Sequence, residues 1–282
     1  MKYSAGKLMG LCGLLVCLGL PVPGYSIAAA GNAVSSTPGH IRHAESPGKL
    51  WRLIHRGCVP AAKRGVLPPA PCTEVEPSHG KSGGYVVFKD RAGRYQYLVL
   101  PIVRITGIES PGLLATDAPN YFADAWTARL YVEAALHAPQ PRDVISLVVN
   151  SASGRTQNQL HIHVDCIRPD VHAALRKLLP TIRTTWQPLE SPLPPNGHRY
   201  QAMWIGGRTL HANPFKLLAS ALPKGDDMAR HSLIVVGAYS PDGVPGFILL
   251  SGHVDPARHD RGSGDALQDL GCVLATGSRA RR

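Results

Sequence analysis

The sequence predicts an α+β fold in which an antiparallel sheet carries helices on one face. Short β-rich runs occur in pairs joined by turns, one stretch shows the three-to-four spacing of a helix, and a second helical run follows a Pro-Asp start. Along the chain these elements follow one another as hairpin, helix, hairpin, helix. This order favours an antiparallel sheet with packed helices over the strict strand–helix alternation that builds a parallel sheet.

The first thirty residues have the composition of an export signal. Lys2 and Lys7 precede an apolar run over 8–20, and small residues follow up to Ala30. The apolar run alone is shorter than the roughly 20 residues that span a bilayer, whereas the run extended to Ala30 is long enough, although Pro21 and Pro23 would disturb a helix there. Cleavage as a signal peptide and retention as a membrane anchor helix therefore both stay open, and either one exports the rest of the chain.

Composition divides the remainder of the chain into three parts. Residues 31–47 are rich in Ser, Gly, Ala and Pro and predict a linker. Residues 48–275 carry the predicted elements and form the domain, and residues 276–282 form a basic tail. The net charge of +11 suits nucleic acid, anionic lipid or a phosphorylated substrate. Because no basic stripe is interleaved with aromatic residues, nucleic acid is not an expected partner.

The first hairpin is predicted from residues 85–89 and 95–101, two runs rich in β-branched and aromatic residues. A glycine-containing turn at 90–94 joins them. A short helix at 50–54 precedes this hairpin. The clearest helical spacing follows it at 119–136, where Pro and Asn stand at the start, as is typical of a helix N-terminus.

The second hairpin joins a strand at 144–149 to a strand at 158–166 through a Ser/Gly turn at 150–156. We expect these two strands to be antiparallel neighbours, and a second helix follows at 171–179. The C-terminal third forms either a second small layer or an extension of the same sheet. Its predicted elements are strands at 202–205, 233–238 and 247–250 and a helix at 214–221.

Four cysteines lie outside the leader, at Cys58, Cys72, Cys166 and Cys272. An even number in an exported chain predicts two disulfides. The favoured pairing joins Cys58 to Cys72 around a short Pro-rich loop, which leaves Cys166 for Cys272; buried free thiols are the alternative. No cysteines stand in a C-x-x-C pair, so the sequence offers little support for a cysteine zinc site or thiol redox chemistry.

The strand at 158–166 alternates strictly between polar and apolar side chains, which an extended backbone sends to opposite faces. Two imidazoles on one face can act on one substrate or one metal ion, so this strand is the candidate site. An inert surface strand is the alternative, although its place between a hydrophobic strand and a helix favours a central position. The apolar set is Leu160, Ile162, Val164 and Cys166, and the polar set is Gln159, His161, His163 and Asp165.

The strand and the residues before it resemble the histidine-triad (HIT-like) superfamily of nucleotide hydrolases and transferases. Their signature is His-φ-His-φ-His-φ-φ, with φ apolar, after a Gly-Gln-Ser/Thr lead-in. The matching run here extends from Val148 through Gly154-Arg155-Thr156 to His161-Ile162-His163. The resemblance implies a HIT-like antiparallel sheet with this strand at the active site.

A closer resemblance, over about residues 53–272, is to the CDP-diacylglycerol pyrophosphatase family. That family is an exported, membrane-anchored bacterial branch of the superfamily, and it hydrolyses CDP-diacylglycerol to CMP and phosphatidate. The resemblance therefore implies a catalytic domain in the periplasm, at the surface of the inner membrane. The segments that carry it, besides His161-Ile162-His163, are Gly83-Gly84-Tyr85-Val86-Val87-Phe88-Lys89-Asp90, Gly107-Ile108-Glu109-Ser110-Pro111, Gly154-Arg155-Thr156-Gln157-Asn158 and Cys166-Ile167-Arg168-Pro169-Asp170-Val171.

Matched position by position, the resemblance implies roles for five residues. His161 stands at the middle histidine, the nucleophile that forms a covalent intermediate with a phosphorus of the pyrophosphate. His163 stands at the third histidine, which binds phosphoryl oxygens. Asn150 and Thr156 match positions that hold the nucleotide or the phosphate. Arg155 stands where many relatives have Gln, and its guanidinium is suited to clamping developing negative charge.

Two residues depart from the pattern. Gln159 replaces the first histidine of the triad, and it can form hydrogen bonds but cannot carry a proton as an imidazole does. Arg104 replaces an early histidine after the first hairpin, and its permanent charge suits a diphosphate. Because Gln159 departs from the triad, a nucleotide-binding module with impaired catalysis is one alternative function. A nucleotidyl transferase and a hydrolase of soluble dinucleotides are others.

No cofactor and no metal is expected, since protein cations can take up the charge of the transition state. The competing metal site consists of His161, His163 and Asp165, but alternate side chains of a strand stand about 6.5–7 Å apart. The expected substrate partner is CDP-diacylglycerol, and the membrane surface is the expected location of the chain. The oligomeric state is not indicated by the sequence.

Overall fold

The computed structural model describes residues 46–77 and 83–277. The predicted leader at 1–30, with its anchor helix, lies outside the described residues, as do the linker up to residue 45 and the tail from residue 278. Within the described residues no helix combines the length and the hydropathy that a membrane span requires.

The described strands form one nine-stranded sheet in which every neighbouring pair is antiparallel. The strands are β1 (Glu74–Glu76), β2 (Tyr85–Lys89), β3 (Tyr97–Pro101), β4 (Ile145–Val149), β5 (Ile162–Cys166), β6 (Gln187–Pro188), β7 (Tyr200–Gly206), β8 (His231–Tyr239) and β9 (Pro245–His253). Their order across the sheet is β1-β2-β3-β5-β4-β8-β9-β7-β6. Both predicted hairpins, β2–β3 and β4–β5, are confirmed, and the C-terminal third extends the same sheet through the β4–β8 pair.

The helices predicted at 119–136, 171–179 and 214–221 are confirmed. The two N-terminal helices are joined by a wider π-helical turn, Ile54–Cys58, just before Pro60, whose missing N–H interrupts the regular ladder. The helices are α1 (Lys49–Leu53), α2 (Val59–Lys63), α3 (Tyr121–Ala135), α4 (Pro169–Leu178), α5 (Pro214–Ala221) and α6 (Val273–Thr276).

The prediction that the helices cover one face of the sheet is wrong, because helices pack on both faces. Helices α3 and α5 share a core with Leu147 and Val235. Helix α4 shares a second core with Val148 and Ile234, the neighbours that point the other way. Strand β4 is buried along its whole length, and its nearly unbroken apolar sequence is that of a strand covered on both sides.

The N-terminal helices cover another part of the face on which α4 packs. Ile54 and Cys58 form a third core with Val86, Leu98 and Leu100 of β2 and β3. We call this side of the sheet the histidine face, because Leu98, Val148 and His163 lie side by side on it across β3, β5 and β4. The N-terminal helices and α4 therefore stand on either side of the histidines.

Both predicted disulfides are present. Cys58 is bonded to Cys72 and Cys166 to Cys272, with Cα–Cα distances of 5.4 and 5.2 Å. The first closes a loop of 14 residues next to α2, and the second joins residues 106 apart in the sequence. The second disulfide therefore holds the C-terminal segment against the end of β5.

Candidate active site

Strand β5 lies inside the sheet, between β3 and β4. His163 is opposite Leu98 on one side and Val148 on the other. The apolar set of the alternating segment is buried in the same core as α3, as the sequence predicts. The polar set therefore belongs to the histidine face. Because β5 is paired on both sides, the alternative interpretation of an inert strand at the surface of the sheet is wrong.

The His161 imidazole is held in one tautomer. Its Nδ1 lies 2.7 Å from the carbonyl oxygen of Gln159, which can only accept, so Nδ1 carries the proton. The residue is 8% exposed. Burial, with smaller contributions from His163 and Arg155, lowers the pKa of His161 to about 3. At neutral pH the ring is therefore uncharged, with an unprotonated lone pair on Nε2.

His163 is the second imidazole of the site. Its ring centroid lies 4.9 Å from that of His161, with the two rings steeply tilted to one another. Burial lowers its pKa, and the carboxylates of Asp265 and Asp90 oppose that shift in part. Both ring nitrogens are buried and neither has a hydrogen-bond partner among the described residues, so His163 has hydrogen-bonding capacity that no described group satisfies.

A cavity of about 810 Å³ lies over the two histidines. One wall is apolar and comes from α1 and the nearby sheet. The opposite wall comes from the segment 265–270, and the β2–β3 turn closes one end. The lining carries both apolar and charged groups, which suits a ligand with a lipid part and an ionic part. Among the described residues, the lining includes Leu50, Leu53, Pro71, Phe88 and Leu98 on the apolar side and Lys49, Lys89, Arg91 and Arg168 as cations.

Gln159, the residue in the position of the first triad histidine, contributes to the site through its backbone. Its carbonyl oxygen accepts the Nδ1 proton of His161. Its side chain is fully buried, and Nε2 donates to the carbonyls of Pro101 and Val103 at 3.0 and 3.1 Å. The side chain thus holds the start of β5 against the end of β3, and it does not line the cavity.

Arg155 is held by a carboxylate that the sequence did not pair with it. Its two terminal nitrogens donate to the two oxygens of Glu109 at 2.6 and 2.7 Å. Gly107 is required for this approach, since a Cβ at that position would lie 2.1 Å from a guanidinium nitrogen of Arg155. The predicted clamp is therefore engaged in an ion pair and stands outside the cavity lining, although its charge acts on His161.

The other predicted phosphate ligands lie at different distances from the histidines. Thr156 lines the cavity. Asn150 lies at the end of β4 and accepts a hydrogen bond from the backbone of Asp265, a cavity residue, at 3.2 Å. Arg104 is outside the lining, with its guanidinium 5.6 Å from the ring centre of Trp51. The structure thus places Thr156 in the same cavity as the histidines. Asn150 does not line the cavity but is hydrogen-bonded to Asp265, which does.

Sequence reasoning missed several residues of the cavity, and two of them, Gln157 and Gln268, make hydrogen bonds that shape the site. Gln157 accepts a hydrogen bond from the backbone N–H of Leu50 at 3.1 Å, which attaches α1 to the segment before β5. Gln268 donates to the carbonyl of His163 at 3.3 Å from the opposite wall. Gln157 stands in the motif beside Thr156, which is a usable signal. Gln268 follows β5 by about a hundred residues, so no local spacing reveals it.

Two comparisons bear on the identity of this chain. The family model for CDP-diacylglycerol pyrophosphatase matches residues 45–276. A curated protein from Yersinia pestis named CDP-diacylglycerol pyrophosphatase is 40% identical over 227 residues, which cover 80% of this chain and 84% of that protein. The chain belongs to the CDP-diacylglycerol pyrophosphatase family. It is therefore a hydrolase, and the resemblance inferred from its motifs is confirmed at the level of this family.

In this pyrophosphatase family member, the described clusters of possible metal ligands lie outside the cavity lining. Among the described residues, two sets of three ligating side chains come within 4.8 Å of one another, and neither contains His161 or His163. One set includes both cysteines of the long disulfide, which leaves no thiolate to bind a metal. The other set is Asp226, His231 and His253, where Asp226 lies 3.0 Å from His231 and 3.6 Å from His253.

The pH dependence of hydrolysis provides a test of the His161 environment. With a pKa of about 3, the imidazole stays neutral at pH 5, whereas an ordinary histidine would be about 97% protonated there. We expect kcat/KM for CDP-diacylglycerol to fall less than about threefold between pH 7 and pH 5. An acid limb with an apparent pKa near 6.5 would contradict this assignment.

Asp165, the last polar residue of the alternating segment, is buried, which raises its pKa to about 7. Since the folded carboxyl binds its proton more tightly than the unfolded one, its stabilising effect is complete below about pH 4. The effect is lost as the pH rises to 7. The Asp165→Asn variant should therefore match the original at pH 4 and gain on the order of a few kcal/mol at pH 8. Urea unfolding at both pH values measures this, and a pH-independent difference would refute it.

Proposed function

We propose that this chain hydrolyses the pyrophosphate bond of CDP-diacylglycerol through a covalent intermediate on His161, and that the products are CMP and phosphatidate. The observation that carries the proposal is the tautomer of His161. Its Nδ1 proton is committed to the Gln159 carbonyl, so a neutral ring offers the Nε2 lone pair under the cavity. A neutral, oriented imidazole is the form that nucleophilic catalysis requires.

The reaction runs in two displacements. Nε2 of His161 forms a bond to one phosphorus, and the bridging P–O bond breaks with its electron pair on the departing phosphate. The ring then carries positive charge, which strengthens the hydrogen bond from Nδ1 to the Gln159 carbonyl. Water next attacks the same phosphorus, the N–P bond breaks with its electron pair on Nε2, and the proton that the water loses passes to solvent. The backbone carbonyl thus stabilises the charged intermediate without accepting the proton.

The charge of the cavity supports a diphosphate substrate. Its lining contains four cationic side chains and two carboxylates, Asp90 and Asp265. Lys89 donates to three backbone carbonyls, so it stabilises the β2–β3 turn while its charge remains beside the cavity. Arg91 extends from that turn, and Arg168 lies at the start of α4, 2.9 Å from Asp170. The excess of positive charge attracts the diphosphate without a metal ion.

The apolar wall supports a lipid substrate. Leu50 and Leu53 of α1 face the cavity together with Pro71, Phe88 and Leu98. Two hydrogen bonds join this wall to the segment before His161, one from Leu50 to Gln157 and one from the backbone of Asn158 to the carbonyl of Pro47. The diacylglycerol part lies along this wall, because burying its methylene groups there is favourable.

The chemistry is that of the histidine-triad superfamily, with a glutamine in the first position. Gln159 retains the contact that matters for the nucleophile, because that contact is made by the backbone carbonyl. An imidazole in this position could transfer a proton, whereas the Gln159 side chain only holds β5 against the end of β3 through its two hydrogen bonds. This arrangement supports a competent hydrolase over an impaired binding module.

The domain works in the periplasm at the surface of the bacterial inner membrane, where its lipid substrate lies. Two disulfides in the described residues support an oxidising compartment. The apolar wall belongs to α1, which begins at Lys49, soon after the leader at 1–30. N-terminal sequencing of the membrane-associated protein distinguishes a retained anchor from a cleaved signal, and a protein found only in the cytoplasm contradicts the proposal.

The lipid preference provides the direct test of the substrate. We expect kcat/KM to be at least about 100-fold higher for CDP-diacylglycerol in mixed micelles than for CDP-glycerol, which has the same diphosphate and no acyl chains. Leu53→Gln makes the apolar wall polar without adding a charge beside the diphosphate, so it should lower kcat/KM for CDP-diacylglycerol much more than for CDP-glycerol. Equal rates for the two substrates would favour the soluble-dinucleotide hydrolase, and CMP transferred to added glycerol without free CMP would favour the transferase.

A further inference from the structure

Two of the three glutamines that line the cavity, Gln157 and Gln268, leave opposite ends of their side-chain carboxamides without a partner. Gln157 and Gln268 are each 6% exposed, and each has one end of its carboxamide held by protein groups while the other end has no hydrogen-bond partner among the described residues. A carboxamide offers an acceptor at one end and donors at the other. The end that the protein holds therefore fixes which end remains for a ligand.

Gln157 retains a donor. Its Oε1 accepts from the backbone N–H of Leu50 at 3.1 Å, and a backbone N–H can only donate. The amide cannot be reversed without placing its own N–H₂ against that N–H. The unpartnered atom is therefore Nε2, a donor that suits a phosphoryl oxygen. It belongs to the side of the cavity formed by α1, next to the apolar wall.

Gln268 retains an acceptor. Its Nε2 donates to the carbonyl and the hydroxyl oxygen of Ser146, both at 3.1 Å, and to the carbonyl of His163 at 3.3 Å. Reversing the amide would place its oxygen against two carbonyl oxygens. The unpartnered atom is therefore Oε1, which repels a phosphate and accepts from a hydroxyl or an amino group. It lies on the side of β4, across the histidines from α1.

We infer that Gln157 and Gln268 fix the direction in which the substrate lies. Gln157 donates to a phosphoryl oxygen, and Gln268 accepts from a hydroxyl or amino group of the nucleoside. The nucleoside then lies over β4 and the diacylglycerol over α1, with the diphosphate between them at His161. The inference rests on the proposed function and adds to it a nucleoside-reading residue that the triad motif does not contain.

A buried polar group without a partner is unfavourable, and a ligand that supplies the missing partner relieves that cost. A site built in this way rejects an analogue that lacks the matching group by more than an apolar pocket does. Two groups of CDP-diacylglycerol have the required chemistry for Gln268, the amino group of cytosine and the hydroxyls of ribose. UDP-diacylglycerol lacks the first donor, and dCDP-diacylglycerol lacks one of the second.

The test compares kcat/KM for CDP-, UDP- and dCDP-diacylglycerol in the original protein and in Gln268→Met. We expect the original to disfavour one of the two analogues by about tenfold or more, and the variant to lose that preference. Gln157→Glu keeps an acceptor for Leu50 but places a carboxylate beside the diphosphate. It should therefore lower kcat/KM about equally for all three substrates and leave the preference unchanged.

Each outcome decides a different point. Failure of the original protein to hydrolyse CDP-diacylglycerol contradicts the proposed function itself. Hydrolysis at equal kcat/KM for all three substrates overturns the role of Gln268, even if Gln268→Met does not fold. A Gln268→Met variant that melts normally and keeps the original preference overturns it as well, because a merely structural residue lowers all rates alike. Unchanged kcat/KM in Gln157→Glu overturns the role of Gln157.

Discussion

Replacement of His161 with alanine is expected to lower CMP release from CDP-diacylglycerol by at least about 10³-fold. The variant lacks the Nε2 lone pair that attacks phosphorus, and no second described group is held in the same way. The remaining cations of the cavity still bind the diphosphate, so the loss should appear in kcat with little change in KM. Steady-state CMP release over a range of substrate concentrations measures both constants.

The matched control is His211→Ala. His211 is exposed and its ring is hydrogen-bonded to the hydroxyl of Thr209, also on the surface, so the same change of side chain is made away from the cavity. We expect this control to retain full activity and the same melting temperature. A His161→Ala protein that melts like the control and still releases CMP at a comparable rate would show that another group is the nucleophile.

Removal of the Cys166–Cys272 disulfide by a double alanine substitution is expected to give the largest loss of stability. Its cysteines are 106 residues apart, and closing a loop of about 100 residues contributes about 4.7 kcal/mol on the chain-entropy model. The same substitution at Cys58 and Cys72, which are 14 residues apart, should cost only about 3 kcal/mol. Urea unfolding of the two double variants compares these losses.

The two disulfides should also differ in their effect on activity. Cys272 is two residues beyond Leu270 and four beyond Gln268, both of which line the cavity, so breaking its disulfide should loosen that wall. We expect KM to rise in the Cys166/Cys272 double variant. A larger stability loss in the Cys58/Cys72 variant, or an unchanged KM in folded Cys166/Cys272 protein, would contradict the role assigned to the long disulfide.

Much of the sheet was predictable because strands that pair, such as β2 with β3 and β4 with β5, are neighbours in the sequence. The runs at 85–89 and 95–101 flank a short turn, and the pairing of β4 with β5 follows from the turn at 150–156. The covering of both faces was not predicted, although the apolar run of β4 indicates it. The position of α4 and of the N-terminal helices on the sheet depends on contacts between segments that are distant in the sequence. The spacing of apolar residues within a helix does not predict such contacts.

The candidate site was predictable along the histidine strand and less so around it. Alternation places His161 and His163 on one face, and the motif brings Thr156 to the cavity. The partner of Arg155 was not predicted, because Glu109 is 46 residues away and looks like a turn cap in the sequence. Gln268 reaches the site from a segment 105 residues beyond His163 in the sequence, close to Cys272 of the long disulfide.

Trapping of the covalent intermediate tests the central claim most directly. The protein is mixed with CDP-diacylglycerol labelled with ³²P on either phosphorus, quenched within the first turnover, digested and mapped. The account predicts acid-labile label on the peptide that contains His161, from one of the two labelled phosphates, and no label in His161→Ala. Rapid CMP release by the original protein with no label on any peptide, or label on a different residue, would contradict it.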